Sequence, residues 1–328
     1  IYAWSVFTPG LYESGWSKLQ TQLVFAVGLA SFAIFMVFAG KKLKSWGPQK
    51  LAIIGGIVLG LGYALSGIFG GTSFTALIIL IGLVGGAGIG FAYVVPIAVG
   101  MQWFPDKKGM ITGLAVAGFG FGAMGWVKLA GSWGHLIENI GLSSTFIIYG
   151  IAFAIMVIIG GLWMKFPPEG WHPKGFVPQG ADTKKQEDIK VNKDFSSGEM
   201  LRTPQFYLIF FTFVFSAGAG LMSIGLMKLY PGEALVEAGM DAVQASAVAG
   251  TAMAVFFSLA NGLGRILWGL ISDKLGRKTS IIVMTATQGI IVILFTFMAG
   301  STALLYLGAT LIGFNFGGNF ALFPTITA

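Results

Sequence analysis

The sequence contains no cysteine, which removes disulfide frameworks and thiolate metal sites. Its two histidines, His135 and His172, are too few and too far apart to suggest a metal cluster, and no cofactor is expected. Charge is also scarce. Asp, Glu, Lys and Arg make up 10% of the 328 residues, against about 25% in a soluble domain. So few charges cannot clothe a water-soluble surface of this size.

What is present points to lipid. Hydrophobic residues reach 55% and the mean hydropathy is +0.81. The 50 glycines recur inside apolar runs, as at Gly85, Gly86, Gly88 and Gly90. In water each would weaken a helix by about 1 kcal/mol, whereas in a membrane small residues let helices approach closely. An outer-membrane barrel needs short alternating segments instead. The expected class is therefore an all-α polytopic membrane protein.

Spans are expected near 19–40, 51–70, 74–103, 109–131, 142–164, 204–227, 242–272, 279–298 and 302–328, with 1–12 as the back half of another. Each full span approaches or exceeds the ~20 residues that cross the hydrocarbon core. Alternate loops carry sixteen of the twenty Lys and Arg, and the intervening loops carry Glu13, Glu138, Glu233, Glu237 and Asp241. By the positive-inside rule the basic loops face the cytoplasm. That placement accounts for the net charge of +7 without nucleic acid. The longest polar stretch, 166–203, holds Pro167, Pro168, Pro173 and Pro178 and a charged run. It reads as a cytoplasmic linker between an N-terminal helical half, 1–165, and a C-terminal half, 204–328, an arrangement used by transporters.

One loop carries a specific motif: Gly269-Leu270-Ile271-Ser272-Asp273-Lys274-Leu275-Gly276-Arg277-Lys278. Gly269 allows close helix packing and Gly276 a tight turn. Asp273 lies at a helix end, where it can accept from a neighbouring helix N-terminus or pair with Arg277. The pattern resembles the G-x-x-x-D-R/K-x-G-R-K/R loop of the major facilitator superfamily. The matching first-half loop, Gly40 to Lys50, keeps Gly40 and Gly47 but has Lys44 in place of the acid and Pro48 in place of the next basic residue. These loop residues are expected to gate without touching substrate.

Further segments narrow the resemblance. Trp103-Phe104-Pro105-Asp106-Lys107-Lys108-Gly109, the run from Asp194 to Phe206, and Ala321-Leu322-Phe323-Pro324 resemble the oxalate/formate antiporter family. The resemblance covers residues 1 to 328. It implies a bundle of two six-helix halves, present here as about ten of twelve helices, with the first incomplete and the last two missing. It also implies a monomer in the inner (plasma) membrane that moves small organic carboxylates such as oxalate, formate or lactate, by exchange or with protons.

Arg265 is the one formal charge expected deep in a span. It lies eight residues before Asp273, about 12 Å into a core of about 30 Å. A guanidinium at that depth costs ~2.5 kcal/mol or more and keeps its proton, so it is expected to face a watery cavity or a partner. Ser258, Asn261, Gly262, Arg265 and Gly269 share one helix face, while Leu259, Ile266, Leu267 and Leu270 lie elsewhere. Asn261, one turn away, can steady the fork. No span holds an acid, and a planar fork of donors suits a carboxylate. The alternative for Arg265 is a structural role, bonded to backbone carbonyls of a broken helix.

In the resembled family the matching arginine binds the substrate carboxylate. The resemblance also places Tyr2, Tyr93, Phe119, Phe316 and Phe320 around the pocket, next to a polar–aromatic stripe of Asn315, Phe316, Asn319 and Phe320. Phe119, Phe316 and Phe320 lack donors, which suits one carboxylate with a small apolar tail better than a dianion. The expected mechanism is alternating access, with two halves rocking about the site; glycines 113, 118, 120, 122 and 125 of the fifth span supply a flat helix surface for it. A passive anion channel would also place a cation at mid-membrane. An enzyme is not expected, since the spans hold no nucleophile–base pair, metal cluster or phosphate loop.

Overall fold

The structure is a computed structural model describing residues 4, 6–130, 133–173, 197–226 and 229–326, without the side chains of 119, 120, 123, 124, 197, 224–226 and 229. Among the described residues nearly every element is helical and none is a strand. The helices are α1 (Thr8–Glu13), α2 (Lys18–Trp46), α3 (Pro48–Gly70), α4 (Phe74–Trp103), α5 (Lys108–Ala130), α6 (Leu136–Leu162), α7 (Ser197–Met200), α8 (Pro204–Leu226), α9 (Leu229–Glu237), α10 (Ala242–Leu275), α11 (Arg277–Met298) and α12 (Thr302–Ile326). Seven of them are long and apolar enough to cross a membrane: α2, α3, α4, α6, α10, α11 and the Pro204–Ser223 stretch of α8.

The helix ends follow from local chemistry. Ser17 caps α2 reciprocally with Gln20, which satisfies two donors that the first turn would leave open. One glycine joins α2 to α3: Gly47 has φ 79° and ψ 154°. Gly276 joins α10 to α11 in the same way, at φ 85° and ψ 153°. A residue with a Cβ is strained in that region. The expected loops therefore shrink to single residues. Gly40 and Lys44 lie inside α2, and Gly269 and Asp273 inside α10, because both helices run on past the apolar core. In α6 the helical path breaks at Gly141, with φ 78° and ψ 169°, next to the expected start at 142.

Three departures from the expected spans have physical causes. Residues 229–237, expected as loop, form α9, which buries Leu235. Segments Ile78–Gly85 of α4 and Ala252–Phe257 of α10 are π-helical, a feature that sequence periodicity does not report. The expected half-span 1–12 yields only the six-residue α1 in the described part.

The chain divides into two compact units. Unit 1 comprises Ile1–Trp103 and Gly118–Glu169. Its helices close on one another through small residues. A Cβ added at Gly60 of α3 would lie 2.5 Å from the Ala154 Cβ and 2.8 Å from the Gly150 carbonyl of α6. An aromatic cluster of Phe7, Tyr63, Trp126, Phe146, Tyr149 and Phe153 packs edge to face, the arrangement that ring quadrupoles favour. Tyr149 donates its hydroxyl to the Trp126 carbonyl.

Unit 2 comprises Phe104–Ala117 and Gly170–Ala328. Its α10, α11 and α12 pack tightly. Asn315 of α12 accepts from Trp268 Nε1 of α10 at 3.2 Å and donates to Thr287 Oγ1 of α11 at 3.1 Å. One amide thus ties three helices, where an unmade hydrogen bond would cost several kcal/mol in lipid.

Gly60→Val should lower the melting temperature in detergent, because overpacking costs about 1–3 kcal/mol. Gly40→Ala, at a position with nothing within 4 Å, should leave it unchanged or slightly raised. Equal melting temperatures for both variants would contradict this packing.

Candidate functional site

The site lies in unit 2, along the line where the first three turns of α5 meet α10. At one end Asp273 caps α5. Its Oδ1 accepts from the Gly109 amide at 3.1 Å and its Oδ2 from the Met110 amide at 2.9 Å. A carboxylate at a helix N-terminus also meets the positive end of the helix dipole. Arg277 Nη2 donates to the same Oδ1 at 2.5 Å, and Arg277 Nη1 donates to Ser272 Oγ. Asp273 therefore makes both of the contacts its position allows. Gly109 and Gly269 let the two backbones touch, since a Cβ on Gly109 would stand 2.6 Å from the Gly269 carbonyl.

One turn further along, Gly113 sits against the Arg265 backbone: an added Cβ would overlap the Arg265 carbonyl and lie 3.0 Å from Ile266 Cα. Next comes the guanidinium. Arg265 is 1% exposed and is among the largest fully buried side chains. Its Nε donates to Asn261 Oδ1 at 3.1 Å and its Nη1 to the Val116 carbonyl of α5 at 2.8 Å. The face of the fork lies 4.5 Å from the centre of the Phe320 ring, a cation–π distance. Phe316 meets Phe320 edge to face at 5.3 Å.

The expectations divide on this geometry. Asn261 does steady the fork. On the predicted polar face Asn261, Gly262, Arg265 and Gly269 are buried and Ser258 is half-buried, while of the residues expected elsewhere Leu267 is exposed and Leu259, Ile266 and Leu270 are half-buried. The watery hollow is not what surrounds the guanidinium. A backbone carbonyl, an amide and an aromatic ring do, because α5 closes directly on α10. Phe320 is brought to Arg265, and Phe316 packs on Phe320 behind it. Asn315 is not; it spends its amide on Trp268 and Thr287. Asn319 is folded onto its own helix, its Nδ2 bonding the Phe316 carbonyl at 3.3 Å. Tyr93 belongs to unit 1, where its ring meets Phe32 edge to face at 5.1 Å. Tyr2 and the side chain of Phe119 lie outside the described residues.

Side-chain reasoning missed Val116, because its part is played by a backbone oxygen. The available signal was the glycine spacing at 109 and 113. Two buried atoms near the site have no hydrogen-bond partner among the described residues: Asn261 Nδ2, on the amide that holds Arg265, and Thr112 Oγ1, one turn before Val116. Elsewhere in unit 2 the same is true of Gln288, Ser216 Oγ and Asn319 Oδ1. Buried polar groups without partners are rare, and among the described residues they concentrate in this unit. Unit 1 holds a cavity of about 20 Å³ lined by Trp4, Gly28, Tyr63 and Ile81 among others, room for about one water and too small for an organic anion. No group of metal-ligating side chains occurs among the described residues.

Comparison with known proteins bears on the family and the fold. The chain is 29% identical over 334 residues to the uncharacterized MFS-type transporter YhjX of Escherichia coli, covering all of this chain and 76% of that protein. It is 28% identical to the oxalate:formate antiporter of Oxalobacter formigenes, covering 99% and 72%. It is 24% identical to apicoplast pyruvate carrier 1 of Toxoplasma gondii, covering 97% and 64%. The crystal structure of the transporter FucP in the outward conformation shares the fold at a TM-score of 0.59 and 14% identity, over 99% of this chain and 86% of that one. The family model of the Major Facilitator Superfamily matches residues 1–328. A helical membrane chain with this motif, this fold and this match belongs to the Major Facilitator Superfamily, whose members are membrane transporters.

Proposed function

We propose that this chain is a secondary active transporter of small organic carboxylates, exposing its site alternately to the two sides of the membrane, with the substrate carboxylate taken by Arg265. The observation that carries this reading is a fully buried guanidinium at the contact of α5 with α10, beside Asn261 Nδ2, which has no hydrogen-bond partner among the described residues. Together they offer a fixed positive charge and a spare N–H donor, the two things a carboxylate needs. Phe316 and Phe320 give the site an apolar wall, which favours a monocarboxylate with a short tail over oxalate. The names of the relatives support the substrate class: an oxalate:formate antiporter, a pyruvate carrier and, over 48% of this chain, monocarboxylate transporter 14 of mouse.

Within this reading, residues 166–203 link halves 1–165 and 204–328 on the cytoplasmic side of the inner membrane, as the basic loops require. Asp273, Arg277, Gly269 and Gly276 serve the gate, as Gly40 and Gly47 do in the first half. Lys44 stands three residues before Gly47, as Asp273 stands before Gly276, so the two gates differ in charge.

Three outcomes test the proposal. Arg265→Lys should fold but lose carboxylate binding at least ~30-fold, since a charge-assisted pair is worth about 2 kcal/mol or more. Ligand-induced thermal stabilisation reads this directly, at ~2.7 kcal/mol for a ~100-fold excess over Kd; wild-type stabilisation of the variant would reject the assignment. Counterflow in liposomes should drive labelled substrate uphill, which a channel cannot do. Lys44→Asp should alter the transport rate without changing the order of preferred substrates; a changed order would place that loop in the site.

A further inference from the structure

The Val116 carbonyl occupies a donor of the group assigned to the substrate. It is a mid-helix backbone oxygen, and it reaches the guanidinium because Gly109 and Gly113 let α5 lie directly on α10. Four contacts follow one another along this helix pair: Asp273 on the Gly109 and Met110 amides, Gly109 on Gly269, Gly113 on the Arg265 backbone, and Arg265 Nη1 on Val116. The last is the only one of these four that uses the proposed binding group. With Arg265 1% exposed, no anion reaches it while α5 stays in place.

We infer that the Val116 carbonyl is an internal competitor for the substrate carboxylate: it satisfies Arg265 when the site is empty, and substrate displaces it, freeing the first turns of α5 from α10. This rests on the reading of Arg265 as the carboxylate site. The chemistry is an exchange of acceptors, with no proton transferred and the guanidinium charged throughout. The exchange is favourable because a charged acceptor replaces a neutral one, and charge-assisted bonds are roughly twice as strong. It also makes Val116 and Gly113 affinity-setting positions, although neither side chain carries a polar group. Apparent affinity is reduced by the fraction of molecules in which the carbonyl holds the fork. Weakening that contact should therefore tighten binding.

The chain has no cysteine, so spin labels can be placed at the exposed Lys107→Cys and Lys274→Cys, near the adjoining ends of α5 and α10. Two measurements decide the matter. First, Gly113→Ala, whose Cβ cannot fit against the Arg265 carbonyl, should bind formate and lactate several-fold more tightly than the wild type; equal or weaker binding by the folded variant overturns the proposal. Second, without any ligand, Arg265→Gln should shift the label distances toward wider separation. A distribution unchanged from the wild type overturns it, and this readout stands even if Gly113→Ala does not fold. Failure of the underlying reading looks different: the wild type then binds no carboxylate at all, while the label distances still respond to Arg265→Gln.

Discussion

A guanidinium that cannot lose its proton and cannot reach water must be satisfied by what packs around it. Arg265 imposes that condition on unit 2. The Asn261 amide, the Val116 carbonyl and the Phe320 ring each answer part of it. For the carbonyl to arrive, α5 and α10 must approach to backbone contact, and that closeness requires glycine at 109, 113 and 269. The cap that Asp273 places on α5 then fixes the register in which Val116 meets Arg265. Charge, small residues and loop motif are thus parts of one arrangement.

The same logic separates the two units. Unit 1 is held by aromatic edges and glycine contacts, with Trp4 Nε1 donating to the Thr21 carbonyl and the Tyr149 hydroxyl to the Trp126 carbonyl. Unit 2 is polar inside. Trp268, Thr287 and Asn315 form a closed set of hydrogen bonds, while Asn261, Gln288 and Asn319 keep atoms without partners among the described residues. In lipid each open group costs several kcal/mol. A unit that retains several is arranged for something other than stability alone.

Much of this was legible in the sequence. Hydropathy located most span ends to within three residues, while α2 ends at Trp46 and α6 begins at Leu136, each six residues from the expected bound. Gly276 announced its turn, and the i, i+4 spacing of Asn261 and Arg265 announced their bond. The contacts of Asp273 could be named from its position before Gly276. Other features left no readable trace. A backbone carbonyl has no letter, so Val116 looked like any apolar residue of α5. Asn315 and Asn319 look equivalent one turn apart, yet Asn315 reaches two neighbouring helices while Asn319 turns back on its own. The π-helical turns at 78–85 and 252–257 change the phase of a helix without changing its composition.

A carboxylate held by Arg265 must lie in direct contact with its guanidinium. The arginines of the chain are Arg202, Arg265 and Arg277, so nitrogen-15 arginine labelling gives a sparse spectrum. Magic-angle-spinning dipolar recoupling between carbon-13 formate and guanidinium nitrogens reads the distance. The account predicts a contact of about 4 Å, the separation a bidentate pair sets, which survives in Arg277→Lys. Bound formate with no dephasing of any guanidinium nitrogen would contradict it.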